Sequence, residues 1–81
     1  MEIKVKLYAN FREKGPKGVP LGEGFSLEVK EGATISDVLK QLDIAEDEAR
    51  VVMVNSTIIR EFDYQLKPLD LFVAFPPIGG G

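Results

Sequence analysis

The residues with the most chemical potential lie together at the end of the sequence, Phe75-Pro76-Pro77-Ile78-Gly79-Gly80-Gly81. The ordinary reading of such a stretch is a frayed terminus. Two features weigh against it here. No charged or polar solubilising residue follows the glycines, and the two prolines stiffen the exit from whatever precedes them. Six residues beyond Phe75 span ~20 Å when extended. Glycine has no Cβ, so an arm of this kind can enter a channel too narrow for any other residue. Its distinctive group is the α-carboxylate of Gly81. A carboxylate is a poor electrophile, but adenylation makes it an acyl donor to sulfur, nitrogen or oxygen. The chain itself would then be the substrate.

Other candidates for chemistry are weaker. Glu46, Asp47 and Glu48 carry the hard oxygen ligands that suit calcium or magnesium. They lack the glycine and the alternating ligands of a calcium loop, and read as a solvated acidic turn. Gly15-x-x-Gly18 and Gly22-x-Gly24 could cradle phosphate, but neither leads from a strand into a helix carrying lysine and a hydroxyl residue. Ser26, Ser36 and Ser56 have no base to activate them. The chain has no histidine and no cysteine. That excludes disulfides, thiolate nucleophiles, sulfur-rich metal sites and the common triads. No metal site and no bound cofactor are expected.

With 10 Lys+Arg against 13 Asp+Glu, the net charge of −3 weighs against nucleic acid or an anionic membrane as partner. No apolar run approaches the ~18–20 residues that span a bilayer. The opening Met1-Glu2-Ile3-Lys4 has no signal-peptide pattern, so the expected compartment is the cytoplasm.

Eighty-one residues support one domain, and the elements that must carry the arm are legible by period. Ile3, Val5 and Leu7 alternate with polar neighbours, a half-buried strand. A long Gly/Pro-rich loop runs from Gly15 to Gly24. Phe25, Leu27 and Val29 alternate in a second strand, antiparallel to the first. Thr34 opens a helix, its hydroxyl accepting from the backbone near Asp37, and that acid suits the positive end of the helix. Ile35, Val38, Leu39 and Leu42 form one buried stripe, with Asp37, Lys40 and Gln41 on the wet side. Val51-Val52-Met53-Val54 reads as a strand buried on nearly both faces. Asn55-Ser56 turns into a short strand over Thr57-Ile58-Ile59-Arg60, and Leu71 to Phe75 make the last strand. This order implies an α+β chain of the β-grasp, or ubiquitin-like, class. The expected form is a mixed four- to five-stranded sheet with one main helix packed on one face. The division is a domain over 1–75 and a flexible C-terminal Pro-Pro-x-Gly-Gly-Gly arm over 76–81.

Several segments also resemble the ubiquitin-like sulfur carriers of the MoaD/ThiS type. They are Leu7-Tyr8-Ala9-Asn10-Phe11-Arg12-Glu13, Glu31-Gly32-Ala33-Thr34 leading into Asp37-Val38-Leu39, Val54-Asn55-Ser56-Thr57, and above all Phe75-Pro76-Pro77-Ile78 before the glycines. The resemblance covers essentially the whole chain and is strongest to the small subunit of molybdopterin synthase. Ser56 stands where the family often has glycine, and Lys67-Pro68-Leu69-Asp70 replaces a tighter glycine-containing turn. The resemblance implies a non-catalytic carrier subunit. A ubiquitin-activating-type adenylyltransferase, using its own ATP and Mg, adenylates Gly81, and a sulfur donor (persulfide) protein converts the adenylate to a thiocarboxylate. The molybdopterin synthase large subunit then receives the arm, Pro76, Pro77, Ile78, Gly79, Gly80 and Gly81, and forms the dithiolene of the molybdenum (or tungsten) cofactor. The alternatives are sulfur carriage for thiamin, cysteine or tRNA thiolation, a protein modifier joined through Gly81 to lysine, and a plain interaction domain.

The strand pattern also proposes a docking surface. Alternation alone leaves the inner set of the last strand open between Leu71/Val73/Phe75 and Phe72/Ala74. The family pattern favours Phe72 and Ala74 inside, which places Val73 and Phe75 outside beside Tyr8, with Ile58 joining them. An exposed apolar patch with aromatic anchors is a partner-binding feature. Arg12, Arg60 and Lys67 are candidates to ring it with charge.

Overall fold

The computed structural model describes residues 1–76. Five strands form one mixed sheet: β1 (Glu2–Leu7), β2 (Phe25–Glu28), β3 (Val51–Val54), β4 (Thr57–Ile58) and β5 (Leu71–Phe75). Their order across the sheet is β2-β1-β5-β3-β4. β1 and β5, the first and last strands, lie side by side in parallel at the centre. β2 pairs antiparallel with β1, and β3 pairs antiparallel with both β4 and β5. The single α-helix of the described residues, α1 (Ile35–Gln41), packs across one face. This is the expected β-grasp.

Alternation in β1 buries Ile3, Val5 and Leu7 and leaves Glu2 and Lys4 exposed. In β5, Phe72 and Ala74 are wholly buried, which decides the phase that alternation left open. The helix stripe Ile35, Val38, Leu39 and Leu42 is buried against them. Thr34 caps the helix by a reciprocal capping box. Its hydroxyl accepts from the Asp37 backbone N–H at 3.1 Å, and the Asp37 carboxylate accepts from the Thr34 N–H at 3.0 Å. The latter bond holds the Asp37 carboxyl below its ordinary range, against the opposing cost of burial, with help from the Thr34 hydroxyl and from Lys30 and Lys40.

Three elements differ from expectation, and one of them, β4, stops at Ile58 rather than running on to Arg60. A 3-10 helix occupies Ala9–Lys14, where no period marked an element, and drives Phe11 into the core. In β3, Val52 and Val54 are buried but Val51 and Met53 are only half-buried, so the strand has one dry face rather than two. Four consecutive apolar residues conceal that difference.

The turns show where the chain departs from glycine. Asn55 and Ser56 both have positive φ, 51° and 72°, as the two-residue turn between antiparallel strands requires. Leu69 also has a positive φ, 67°. The turn at its foot is tied by a network centred on the buried Asp70. Asp70 accepts from the Lys67 N–H at 2.8 Å and from Asn55 Nδ2 at 2.9 Å, while Asn55 Oδ1 accepts from the Leu71 N–H at 2.9 Å. These bonds join the β3–β4 turn to the start of β5. Two glycines of the long loop, Gly15 and Gly24, are closely packed, whereas Gly18 and Gly22 have open space around them and take positive φ, 87° and 82°. A Cβ on Gly15 would lie 2.8 Å from the Phe25 ring, and one on Gly24 would lie 3.0 Å from the Val5 carbonyl oxygen.

Candidate functional site

The pairing registers assemble the face opposite α1. Lys6, Val73 and Met53 are successive Cα partners across β1, β5 and β3, and Ile58 partners Met53 on β4. Val51 partners Phe75 in the next row. Leu71 partners Lys4. Partners in a ladder share a face. The outer surface is therefore an apolar band through β5 and β3, flanked on the β1 side by Lys4 and Lys6.

Of the residues singled out from sequence, Tyr8 and Phe75 meet directly. Their rings stack with centroids 4.8 Å apart and planes 11° from parallel, a geometry worth ~0.5–1.5 kcal/mol beyond area burial. Both are half-buried. Ile58 is 51% exposed on the edge strand β4. Val73 faces this side as expected but is only 8% exposed. It lies in the middle of the sheet, and the side chains of Lys6 and Met53 on either side leave little of it for a partner to touch. Leu71 joins the band by the same alternation as Val73 and Phe75. Val51 and Met53 belong to it as well, and their signal lies in the register of β3 against β5, which no single strand carries.

Pro76 is buried. Pro77, Ile78, Gly79, Gly80 and Gly81 lie outside the described residues. Of the charged candidates, Arg12 donates to the Val19 carbonyl at 3.0 Å and so lies against the long loop, while Arg60 and Lys67 are exposed. Beside Arg12 the loop and β2 enclose a cleft of ≈ 250 Å³ floored by Leu7 and Phe25. Glu46, Asp47 and Glu48 are exposed, with Glu46 accepting from the Ser36 hydroxyl. Among the described residues no group of three His, Cys, Asp or Glu side chains could hold a metal ion. No helix there is long and apolar enough to cross a membrane.

The sheet therefore presents an apolar outer face whose aromatic corner, Tyr8–Phe75, sits where β5 hands on to the segment carrying the glycines. The family model described as the ThiS family matches residues 5–81, from the first strand through the glycines. The chain belongs to the ThiS family. It is a member of the ubiquitin-like ThiS/MoaD-type sulfur-carrier superfamily. Solved structures agree in fold. A Haloferax volcanii protein solved in solution is 26% identical, with a TM-score of 0.74, over 100% of this chain and 87% of its own. A Pyrococcus furiosus protein described as a candidate molybdopterin converting factor, subunit 1, is 25% identical with a TM-score of 0.67, over 95% and 98% of the two chains. The Haloferax volcanii small archaeal modifier protein 1 shares the fold at 20% identity, with a TM-score of 0.70 over 95% and 98%. Among curated proteins, none matches this ThiS-family chain.

Proposed function

We propose that this ThiS-family chain carries an activated carboxyl group on Gly81 and works as a sulfur carrier. The observation that supports this most is the family match, which runs from β1 through the diglycine Gly80-Gly81. With no histidine or cysteine in the chain, the activating chemistry belongs to a partner. A ubiquitin-activating-type adenylyltransferase joins the Gly81 carboxylate to the AMP part of ATP and releases pyrophosphate. The outer sulfur of a persulfide then displaces AMP. A thiol cleaves the resulting S–S bond, leaving the thiocarboxylate on Gly81 and a disulfide on the donor side. The sulfur leaves by nucleophilic attack on an acceptor, and hydrolysis regenerates the carboxylate. The partner docks on the outer face around Ile58, Met53 and Phe75.

The acceptor proposed is a general one, in thiamin, cysteine or tRNA thiolation, with dithiolene formation as the small subunit of molybdopterin synthase as its narrower form. A second reading, a modifier linked through Gly81 to lysine, is favoured by the shared fold with small archaeal modifier protein 1.

Intact-mass analysis tests the carrier reading. Incubation with the adenylyltransferase, ATP and a persulfide donor should exchange one oxygen for sulfur, confined to the C-terminal peptide. Deleting Gly81 should abolish the exchange without changing thermal stability, and Ile58→Asp should weaken partner binding by placing an unpaired charge in the contact. Sulfur on any internal residue would refute the reading. Lysine conjugates ending in Gly81, with no thiocarboxylate formed, would establish the modifier instead. Mixing the thiocarboxylated chain with a molybdopterin synthase large subunit and the cyclic pyranopterin precursor decides the narrower form.

A further inference from the structure

We propose that Tyr8 is a positioning residue for the chemistry at Gly81: its ring, held by the turn at Ala9, fixes Phe75 and thereby the direction in which the chain leaves the sheet at Pro76. The inference rests on the carrier reading above.

Four observations carry it. The parallel ladder between β1 and β5 reaches Leu7 and Ala74, so Tyr8 and Phe75 lie one residue beyond its last pair. There the ring stack takes over from the backbone. Tyr8 is itself tightly placed. Its backbone is extended, Ala9 next to it takes φ 53°, and its carbonyl accepts from the Phe11 N–H at 3.1 Å. Phe11, 3% exposed, anchors that turn in the core. A left-handed conformation at a residue other than glycine persists only where its surroundings enforce it, and such strain clusters at functional sites. On its other side Phe75 partners Val51, and Pro76 after it is buried. The exit from β5 is thus held on both flanks up to Pro76.

The Tyr8 hydroxyl makes no hydrogen bond among the described residues, so the flat ring is the working part. When a partner holds the outer face, the exit direction decides where Gly81 arrives. Misplacing a reacting group by ~1 Å can cost ~100-fold in rate.

The test measures ATP–pyrophosphate exchange by the ubiquitin-activating-type adenylyltransferase of the same genome, with the full chain as the varied substrate. Tyr8→Phe should behave as the wild type. Tyr8→Ala should lower kcat by ~10–100-fold while KM stays within about threefold, the pattern of lost alignment rather than lost binding. If Tyr8→Ala proves unstable in a thermal melt, Tyr8→Leu keeps apolar bulk without a flat face and should show the same split. A raised KM with unchanged kcat would make Tyr8 a partner anchor and overturn the proposal. So would a Tyr8→Ala chain indistinguishable from wild type. Nuclear magnetic resonance of the isolated chain adds a partner-free measurement. Tyr8→Ala should remove the ring-current shift of the Phe75 protons and lower the backbone order at Phe75, and unchanged order there would equally overturn the proposal. A wild-type chain that supports no exchange refutes the carrier reading, while the order at Phe75 still decides whether Tyr8 fixes it.

Discussion

Removing the Asp70 carboxylate tests whether β5 is held at its starting end as well as at its exit. Asp70 is 8% exposed and accepts two hydrogen bonds, from the Lys67 N–H and from Asn55 Nδ2. Asp70→Ala leaves the Lys67 N–H without its partner, while the exposed Asn55 amide can turn to water. Hydrogen bonds to a charged acceptor contribute ~1.5–3 kcal/mol each, so a total near ~3 kcal/mol is expected. In a domain of this size ~1 kcal/mol moves Tm by ~4–8 °C, so the melt should fall by ~12–24 °C. Asn55→Gly keeps the left-handed backbone, loses both side-chain bonds, one of them to the charged acceptor, and should cost ~2–3 kcal/mol. The Asn55–Asp70 bond is counted in both single variants, so the double variant should be less destabilised than their sum by ~1.5 kcal/mol. Urea and thermal unfolding of the four proteins measure the cycle. A cost below ~1 kcal/mol for Asp70→Ala, or additivity within ~0.5 kcal/mol, would refute the network as a structural tie.

Three further predictions concern the scaffold. Leu39→Ala, at a fully buried site of the helix stripe, should cost ~2–5 kcal/mol in urea unfolding, whereas Lys40→Ala on the exposed side should cost under ~0.5 kcal/mol. Leu69→Gly should hold or raise stability by up to ~1 kcal/mol, because leucine is strained at the observed φ of 67°; a lower Tm would show that the Leu69 side chain contributes packing. The Asp37 carboxyl is depressed in the folded chain, mainly by the Thr34 N–H. Its stabilisation is therefore complete above the ordinary value of 3.8 and is lost as pH falls through the lower folded one. Asp37→Asn should flatten the acid limb of a stability–pH curve, and an unchanged limb would refute the assignment.

Much of the fold is legible because β1, β2 and α1 each advertise their own period. Ile3, Val5 and Leu7 needed only alternation, and Ile35, Val38, Leu39 and Leu42 only helical spacing. Thr34 and Asp37 announced the cap by residue type and distance. What escaped depended on neighbours distant in sequence. Val51 and Met53 look like core because every residue of β3 is apolar, and only the pairing with β5 places them on the outer face. With Phe72 and Ala74 inside, alternation puts Val73 on the outer face, but its shielding comes from the strands on either side. The 3-10 helix at Ala9–Lys14 has one buried residue, Phe11, too few to create a period. Asp70 resembles any loop acid until Asn55 is brought against it. The site divided similarly. Residue types in the glycine-rich segment suggest its chemistry and the family pattern sets Phe75 beside Tyr8, whereas the stacking of the two rings depends on Leu7 and Ala74 lying side by side.

The central position of β1 beside β5 also governs how this protein comes into being. Its middle seam joins the opening of the sequence to its closing strand, and contacts so remote must await loop closure across the intervening chain, which slows folding. During synthesis no stable sheet can close until β5 has been made. An incomplete chain would leave the apolar edges of β1 and β3 unpaired, open to proteases and to aggregation. β5 can thus complete the sheet only once nearly all of the chain has been made, and under the carrier reading proposed above a partner that reads the sheet face would discriminate against unfinished copies without a separate proofreading step.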